Sequence, residues 1–263
     1  MSKVPGLPYL GSKKRFAKQI LAFADIPESA KVYDCFGGGG ALTCASIMAG
    51  HETIYNELET RVHDAFKGIL SGEYDIDGLC WSREEFDNIP WTTDNPYLYL
   101  GKIVNAFGNK INTSFLYGKD KDAKVEVAKK ILADPKPVHY KKHPAFEENL
   151  HQLEQIQRLQ QLEHLQQLRR VQGFSEIQFV NGCYQDLPIE AGAVYLCDPP
   201  YENALGYGFD FDYEAFRAWT KTVSDRGGKV IVCGNIIWEN AKRFEKLNGA
   251  RSNFGLSEYV WEV

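Results

Sequence analysis

Residues 32–41 read Val-Tyr-Asp-Cys-Phe-Gly-Gly-Gly-Gly-Ala, a short apolar run that ends in an acid and leads into four glycines. The run has the composition of a buried strand, and the residues after it have the composition of a helix. Glycine permits φ > 0 and a close approach of the backbone to a ligand, and a helix N-terminus offers free N–H groups. The stretch therefore predicts a strand–turn–helix unit that binds a nucleotide-type ligand, although a tight connection or a dinucleotide site would give the same pattern.

Similar units recur at both ends of the chain, each with a run rich in Val, Ile and Tyr, a turn signal and a helical stretch. The predicted strands lie at Lys31–Cys35, Thr53–Tyr55, Glu176–Val180, Ala193–Cys197 and Lys229–Cys233, with a last one within Glu258–Val263. The predicted helices lie at Ala41–Ala49, Leu58–Leu70, Tyr213–Ser224 and Trp238–Leu247. Near-continuous apolar strands suit a parallel sheet covered on both faces, so the predicted fold class is α/β, with a Rossmann-like, doubly wound and mostly parallel sheet.

This pattern stops between residues 71 and 173, where the sequence becomes aromatic, then rich in lysine, then rich in Gln and Leu. Over residues 150–171 an apolar residue recurs at every third position. A three-residue repeat drifts around a helix of 3.6 residues per turn, so we expect this helix to break into two pieces. The predicted organisation is a discontinuous sheet domain, residues 1–70 and 174–263, with a mainly helical region inserted at residues 71–173.

Composition excludes several classes of protein. Of the 263 residues, 44% are hydrophobic and 25% are charged, and no apolar run approaches the ~20 residues that span a bilayer. The sequence does not start with the apolar stretch of a secretory signal, so we expect a soluble, cytoplasmic protein with no membrane partner. Six cysteines are scattered singly, which predicts reduced thiols and no metal site.

Residues 194–201 read Val-Tyr-Leu-Cys-Asp-Pro-Pro-Tyr, so a carboxylate, two prolines and a ring follow a predicted strand. The prolines fix an extended, rigid exit from that strand. In an open α/β sheet, ligands bind at the carboxyl ends of the strands, which makes Asp198 and Tyr201 candidate site residues. Taken alone, the stretch is explained equally well by a proline-terminated strand with an incidental Asp and Tyr.

Two weaker signals accompany these stretches. Glu57 ends the second predicted strand, where an acid holds ribose hydroxyls in such folds, or where a solvated acid simply starts a helix. Residues 9–15 read Tyr-Leu-Gly-Ser-Lys-Lys-Arg. Their three cations would hold a carboxylate or a phosphate, or would form an ordinary solvated surface.

Together, three motifs resemble the Dam-like family of DNA adenine methyltransferases, especially its phage and prophage members. They are Tyr-x-Gly-x-Lys at 9–13, Asp-x-Phe-x-Gly-x-Gly at 34–40 and Asp-Pro-Pro-Tyr at 198–201, in the family's order and with the insert before the last. The resemblance covers most of the chain. It implies a site-specific DNA methyltransferase with S-adenosylmethionine as cofactor and double-stranded DNA as partner. The sequence does not indicate whether a restriction nuclease accompanies it.

The resemblance also implies a set of cofactor-binding residues. Lys13 would hold the methionine carboxylate and Glu57 the ribose hydroxyls, while Asp186 stands where the family places an acid near the cofactor's adenine amine. The implied set is Tyr9, Lys13, Asp34, Phe36, Gly38, Gly40, Glu57, Asp186 and Asp198.

By the same resemblance, Asp198, the Pro199 carbonyl and Tyr201 would receive an adenine flipped out of its duplex. Asp198 and Pro199 would accept the two hydrogens of the adenine amine, and Tyr201 would stack on the base. The choice of adenine rests on Asp198, because relatives that methylate the cytosine amine usually have Ser at that place. Residues 232–236, Val-Cys-Gly-Asn-Ile, depart from the Ser and Tyr that many relatives carry there, so the wall of the target pocket is not predicted.

Two other functions fit part of the sequence. A nicotinamide-dependent oxidoreductase would use the glycine-rich turn and Glu57, but it leaves the Asp-Pro-Pro-Tyr stretch unexplained. A non-catalytic DNA-binding protein could keep the fold without activity, although Lys13 and Asp198 are both present. Binding of S-adenosylmethionine without binding of NAD separates the methyltransferase from both alternatives.

The net charge of −5 disfavours nucleic-acid binding mildly, but the charges are segregated. Residues 71–95 hold seven acids and one Arg, whereas residues 118–143 hold eight lysines and four acids. Residues 92–143 also supply rings and amides, so we predict that this part of the insert reads DNA, unless its rings only form a small core. The predicted DNA-binding residues are Lys102, Asn109, Asn112, Lys119 and Lys121.

The insert hypothesis separates two kinds of variant. Lys119→Ala or Lys121→Ala should weaken binding to all sequences and reduce the salt dependence by up to ~0.9 in log–log slope per lost phosphate contact. Asn109→Ala or Asn112→Ala should instead relax the preference at one base pair. Titrations at several salt concentrations and sequencing of the methylated sites measure both effects. Four variants that leave the salt slope and the methylated motif unchanged would place recognition elsewhere.

Overall fold

The structure is a computed structural model, and it describes residues 4–9, 11–106, 109, 111–115, 165–171, 173–201, 211–247 and 257–263. The chain divides into two compact units. The first unit contains Met1–Val4, Lys13–Glu59 and Gln172–Val263, and the second contains Pro5–Ser12 and Thr60–Val171. Both units are therefore discontinuous in sequence.

A seven-stranded sheet forms the centre of the first unit, in the order β3-β2-β1-β4-β5-β7-β6. Strands β1 to β5 are parallel to one another, and β7 is antiparallel to both β5 and β6. The strands are β1 Val32–Asp34, β2 Thr53–Glu57, β3 Ile177–Asn181, β4 Val194–Cys197, β5 Lys229–Gly234, β6 Arg243–Lys246 and β7 Tyr259–Glu262. The predicted fold class, a doubly wound and mostly parallel α/β sheet, is confirmed.

Six α-helices have described bounds. They are α1 Ala17–Ala24, α2 Ala41–Met48, α3 Thr60–Ser71, α4 Arg83–Asn88, α5 Pro96–Asn105 and α6 Tyr213–Asp225. Short 3-10 turns lie at Lys13–Arg15, Asp77–Leu79, Phe174–Glu176 and Tyr184–Asp186. None of these described helices is both long and apolar enough to cross a membrane.

The central strands are buried on both faces, as their apolar composition predicts. Successive side chains of a strand point to opposite faces, so Val32 and Tyr33 of β1 are covered from different sides. Both residues are buried. On the Tyr33 side the ring stacks on Tyr195 of β4 with centroids 4.7 Å apart, and α6 packs there through Phe216 and Trp219. This aromatic layer fixes β1 and β4 side by side.

The predicted strands agree with β1 to β5 and β7, with ends that shift by one or two residues. Three of the four predicted helices agree with α2, α3 and α6. The helix predicted at Trp238–Leu247 is wrong, because Arg243–Lys246 forms β6. The reason is tertiary: β7 offers a free row of backbone groups, and Lys242 N and Leu247 N donate to Glu262 O and Glu258 O, at 2.9 Å each.

The second unit is helical where the structure describes it. Helix α3 belongs to it, although the sequence placed residues 60–70 with the sheet, because Val62 packs with Tyr99 and Ile103 of α5. Residues 5–12 also belong to this unit rather than to the sheet. Of the three-residue repeat at 150–171, only 165–171 are described. Residues 165–169 are helical, and the predicted break lies outside the described residues.

The glycine-rich turn between β1 and α2 is fixed to β2. Gly37 N donates to Asn56 O at 2.7 Å, and Tyr55 Oη donates to Gly38 O at 2.8 Å. Asn56 Nδ2 donates to Cys35 O at 2.9 Å. The Tyr55 ring is fully buried and lies against Gly37, so a Cβ at that position would overlap the ring.

Gly37→Ala should therefore lower the free energy of unfolding by about 1–3 kcal/mol, the usual cost of overpacking a close-packed interior. Urea denaturation measures this loss. Gly182→Ala is the matched control, because among the described residues the nearest neighbour of its added Cβ is Asp186 Oδ2 at 3.9 Å, an ordinary contact. Equal stabilities of the two variants would show that Tyr55 does not restrict the turn.

Candidate active site

The strand order reverses between β1 and β4, which are neighbours in the sheet, while the chain continues from β1 to β2 and from β4 to β5. Such a switch point opens a crevice at the carboxyl ends of the two strands. Cys35 N, just after β1, donates to Leu196 O of β4 at 2.9 Å. The glycine-rich turn and the Asp-Pro-Pro-Tyr stretch therefore emerge next to each other.

Two glycines give the turn its shape. Gly38 has φ 48° and Gly40 has φ 71°, the left-handed region that favours glycine. Gly40 N donates to Gly37 O at 2.7 Å and closes the turn, and α2 starts directly after Gly40. The turn thus presents an open backbone at the start of a helix, as the sequence predicts.

Glu57, at the end of β2, braces this turn. Its Oε2 accepts from Gly38 N at 2.7 Å, and its Oε1 accepts from Glu59 N at 2.8 Å. Burial raises the pKa of Glu57, and these backbone hydrogen bonds oppose that rise. Each carboxylate oxygen has a second lone pair, so a ribose hydroxyl could still bind here.

Asp34 is more deeply buried than a ligand contact requires. Its Oδ2 accepts from Thr43 N at 3.0 Å and from Thr43 Oγ1 at 2.7 Å, and the residue is 1% exposed. Burial raises the pKa of Asp34 to about 7, against the effect of the two Thr43 hydrogen bonds. In the ligand-free structure Asp34 thus holds α2 in place, and it would act on a cofactor through the glycine-rich turn.

Phe36 and Asp186, which the sequence predicts to bind the cofactor, follow β1 and β3. The half-buried Phe36 packs against Tyr184 with ring centroids 5.2 Å apart, and against Phe216 at 5.5 Å. Asp186 ends the 3-10 turn that follows β3, and it is exposed. Phe36, Glu57 and Asp186 therefore follow three adjacent strands, β1, β2 and β3, at their carboxyl ends.

Lys13 and Asp198 form a buried ion pair. Lys13 Nζ lies 2.8 Å from Asp198 Oδ2, and the side chains are 5% and 17% exposed. Burial is the largest single influence and lowers the pKa of Lys13, but the charges of Asp198, Tyr201, Glu258 and Cys233 together outweigh it, so the pKa rises well above its ordinary value. Burial raises the pKa of Asp198, and Lys13 opposes that rise. The sequence predicted both residues, but for separate ligands, and the structure brings them together.

Oδ1, the other oxygen of the Asp198 carboxylate, has a different environment from Oδ2. Asp198 Oδ1 is buried and has no hydrogen-bond partner among the described residues. Tyr201 Oη is also buried and unpartnered within the described part of the chain. The Tyr201 ring centroid lies 4.9 Å from Lys13 Nζ. Burial and the charge of Asp198 raise the pKa of Tyr201, so its hydroxyl stays neutral.

A small cavity adjoins this group at the carboxyl ends of β4 and β5. Its wall includes the region after β5 that the sequence left unpredicted. Gly234 lets the Trp261 ring approach, because an added Cβ would lie 2.8 Å from that ring. The lining residues are Pro199, Pro200, Tyr201, Tyr213, Val232, Cys233, Gly234, Asn235, Ile236, Trp238 and Trp261.

The cysteines near the cavity are not nucleophiles. Cys197 and Cys233 are buried, and burial raises the pKa of each thiol well above its ordinary value. The thiolate is the reactive form, so both side chains act as packing. All six cysteines lie in the described part of the chain, and none of them forms a disulfide. Among the described residues no group of three His, Cys, Asp or Glu side chains is placed to hold a metal ion.

Sequence reasoning missed one carboxylate of this region. Glu258 lies just before β7, and its Oε2 is buried without a hydrogen-bond partner among the described residues. Its charge acts on Lys13, Asp198 and Tyr201. No motif marks this position, because Glu258 reaches the site only through the pairing of β7 with β5.

The second unit contains the other predicted residues that the structure describes. Tyr9 packs against the cluster formed by Val62, Tyr99 and Ile103. Asn109 Nδ2 donates to Ile103 O at 2.9 Å, and its backbone has φ 56°. Asn112 is exposed, with φ 60°. Lys119 and Lys121 lie outside the described residues.

The position of Lys102 in the structure disagrees with the prediction that this residue contacts DNA. The residue is 3% exposed, and its Nζ donates to Phe86 O at 2.7 Å. The ammonium also lies 3.5 Å from the centroid of the Phe86 ring and 5.1 Å from that of Trp91. A lysine used in this way does not present its charge to a phosphate, so we remove Lys102 from the predicted DNA interface.

Three solved structures are similar to this chain at low identity. SMU.472, a candidate methyltransferase solved with SAH, has 12% identity and a TM-score of 0.37, over 95% of this chain and 52% of that chain. This chain thus spans about half the length of SMU.472. The candidate methylase HI0767 from Haemophilus influenzae has 10% identity and a TM-score of 0.37, over 97% and 90%. The rRNA methyltransferase aviRa from Streptomyces viridochromogenes has 12% identity and a TM-score of 0.39, over 94% and 84%.

No protein-family profile and no curated protein matches the sequence. With TM-scores below 0.5, these similarities assign no function to the chain.

The buried Asp34 carboxylate gives a testable pH dependence. Its pKa is raised in the folded state, so between pH 4 and pH 7 the folded protein holds a proton that the unfolded chain has lost, and stability falls as pH rises. Asp34→Asn removes this titration. The difference in unfolding free energy, variant minus wild type, should therefore increase by about 2–3 kcal/mol from pH 5 to pH 8. Urea denaturation at both pH values measures the gain, and Asp25→Asn, at an exposed position, is the control. A constant difference between Asp34→Asn and wild type would contradict the prediction.

Proposed function

We propose that the chain is a site-specific DNA methyltransferase that uses S-adenosylmethionine to methylate the exocyclic amine of an adenine flipped out of its duplex. One observation carries the proposal. At the carboxyl end of β4, Asp198 pairs with Lys13 through Oδ2, while Oδ1 is buried without a described partner. A buried acceptor without a donor is costly, and an amine N–H is the donor that it lacks.

The residues on the β1–β3 side fit the cofactor. The open backbone of Gly38 and Gly40 suits a close ligand, and Phe36 offers a partly buried ring. Glu57 would accept from the ribose hydroxyls, and Asp186 from the adenine amine, as in the Dam-like family. Lys13 would direct its ammonium to the methionine carboxylate as well as to Asp198, since an ammonium has three donors.

S-Adenosylmethionine supplies a methyl group on a sulfonium cation, which leaves as a neutral thioether. The chain's own residues supply position and electrostatics. The lone pair of an aromatic amine is delocalised into its ring, which makes the amine a poor nucleophile. Asp198 Oδ1 and the Pro199 carbonyl would accept its two hydrogens, favour the geometry that frees the lone pair, and stabilise positive charge on nitrogen.

The cavity beside Asp198 would receive the base. Tyr201 lines it, and stacking on this ring would offset part of the few kcal/mol lost when a base leaves the duplex. Pro199 and Pro200 hold the segment extended, so the carbonyl and the ring stay in fixed positions. The assignment to adenine and to DNA rests on the resemblance to the Dam-like family. Lys119, Lys121 and Asn112 remain the proposed DNA contacts, and Asn109 would act mainly by shaping its turn.

The topology disfavours the nicotinamide-dependent alternative. The dinucleotide-binding sheet of nicotinamide-dependent enzymes has the strand order 3-2-1-4-5-6. Here the antiparallel β7 separates β5 from β6, and Asp198 would have no role in hydride transfer. A non-catalytic DNA-binding protein would not need the buried Lys13–Asp198 pair.

Asp198→Ala should lower methyl transfer by about 10²–10³-fold or more, because it removes the acceptor for the target amine, while S-adenosylmethionine still binds. Transfer of labelled methyl to duplex DNA, mass spectrometry of the product nucleosides and calorimetric cofactor binding measure these effects. Asp225→Ala, which removes an exposed carboxylate paired with Lys221, is the control. Loss of S-adenosylmethionine binding together with loss of methyl transfer would contradict the role proposed for Asp198. A product on cytosine would overturn the base assignment, and binding of NAD would overturn the reaction class.

A further inference from the structure

Glu258 is placed at the site by the last strand of the sheet. Its neighbour Tyr259 pairs with Gly234 at the end of β5, and Glu258 O accepts from Leu247 N at 2.9 Å. Strand β5 is in turn the neighbour of β4, where Cys197 pairs with Val232. The carboxyl group of Glu258 therefore starts from the same edge of the sheet as Asp198.

The local charge balance makes Glu258 unusual. Among the described residues, Lys13 is the only cation that forms an ion pair with Asp198, and the negative charge of Glu258 acts on Lys13 as well. One oxygen of each carboxylate, Asp198 Oδ1 and Glu258 Oε2, is buried without a described partner. Burying a charge costs free energy unless the charge is paired. A second carboxylate at this place therefore does not stabilise the fold, which leaves its presence unexplained by stability.

The excess negative charge matches the proposed reaction. The amine lone pair forms the new nitrogen–carbon bond, and the electron pair of the broken sulfur–carbon bond remains on sulfur. Positive charge thus moves onto the amine nitrogen until a proton leaves, first to Asp198 Oδ1 and then to solvent. We propose that Glu258 is the second carboxylate of the methyl-transfer site, a positioning residue that acts through Lys13 and Asp198 to stabilise this charge. The proposal rests on the proposed function.

Glu258 acts in two ways. Its negative charge acts on the ammonium of Lys13, so part of the effect of that cation is spent on Glu258 rather than on Asp198. Its like charge also favours the proton-bound form of Asp198, which suits a group that must receive a proton from the amine. The charged and titratable groups that interact with Asp198 are Lys13, Asp34, Cys197, Tyr201, Cys233 and Glu258.

The first test needs no cofactor. The carboxyl carbon of Asp198 is followed by NMR in ligand-free protein labelled with ¹³C-aspartate, and it is assigned by its loss in Asp198→Asn. Glu258→Gln should lower the titration midpoint of Asp198 by about half a pH unit or more, because a like charge is removed. Glu262→Gln is the matched control on β7, where Glu262 pairs with Arg243 at 2.8 Å. An Asp198 midpoint that is the same in both variants would overturn the proposal.

The second test measures catalysis. Glu258→Gln should lower kcat about tenfold or more and shift the acid limb of the kcat–pH profile to lower pH, with KM for S-adenosylmethionine changed less than about twofold. Glu258→Asp should recover part of kcat, and Glu262→Gln should match wild type. Thermal melts of each variant establish folding, and Glu258→Asp serves if Glu258→Gln does not fold. A kcat equal to that of Glu262→Gln would overturn the proposal.

The two tests also separate this inference from the proposed function. If wild-type protein transfers no methyl group to DNA, the proposed function fails and, with it, the role of Glu258 in that reaction. The titration of Asp198 still decides whether Glu258 acts on the site. If wild type transfers methyl groups normally and Glu258→Gln does too, only the inference fails.

Discussion

The parallel hydrogen bonds between β1 and β4 join two segments that are far apart in the sequence. Val32 pairs with Val194, and the pairing continues to Asp34 and Leu196. Stacking of Tyr33 on Tyr195 fixes the register from one face of the sheet. Because both strands end at the same edge, the glycine-rich turn and Asp198 have to emerge together. The pairing of β5 with β4, and of β7 with β5, then adds the cavity wall and Glu258 to the same edge.

Local sequence predicted the two strands and the segments that follow them, because apolar runs, glycines and prolines act over a few residues, but it did not predict that β1 pairs with β4. The glycine-rich turn and the Asp-Pro-Pro-Tyr segment were therefore located correctly. Three features could not be predicted in that way. The edge strand β6 forms only because β7 offers it backbone partners. The sequence predicts a surface lysine at position 102, whereas in the structure the Lys102 ammonium lies over the rings of Phe86 and Trp91. Glu258 becomes part of the site through strand pairing across the end of the sheet.

The Lys13–Asp198 pair illustrates how a buried charge can be informative. The desolvation of two charged groups offsets much of their attraction, so an apolar pair would often stabilise a fold as well. Such a pair is therefore weak evidence for stability. Its geometry is more informative: Lys13 occupies one oxygen of Asp198, and the other oxygen is buried without a partner among the described residues.

Strand β6 is the outermost strand on its side of the sheet, and all four of its residues are exposed. A bare strand edge can pair with the edge of another molecule and start aggregation. Three of these four side chains, Arg243, Glu245 and Lys246, carry charge, and the strand is short. Another chain that approached this edge would have to bury those charges. The charges on β6 therefore disfavour pairing between the sheets of two molecules, even where the sheet edge is exposed to solvent and the protein concentration is high.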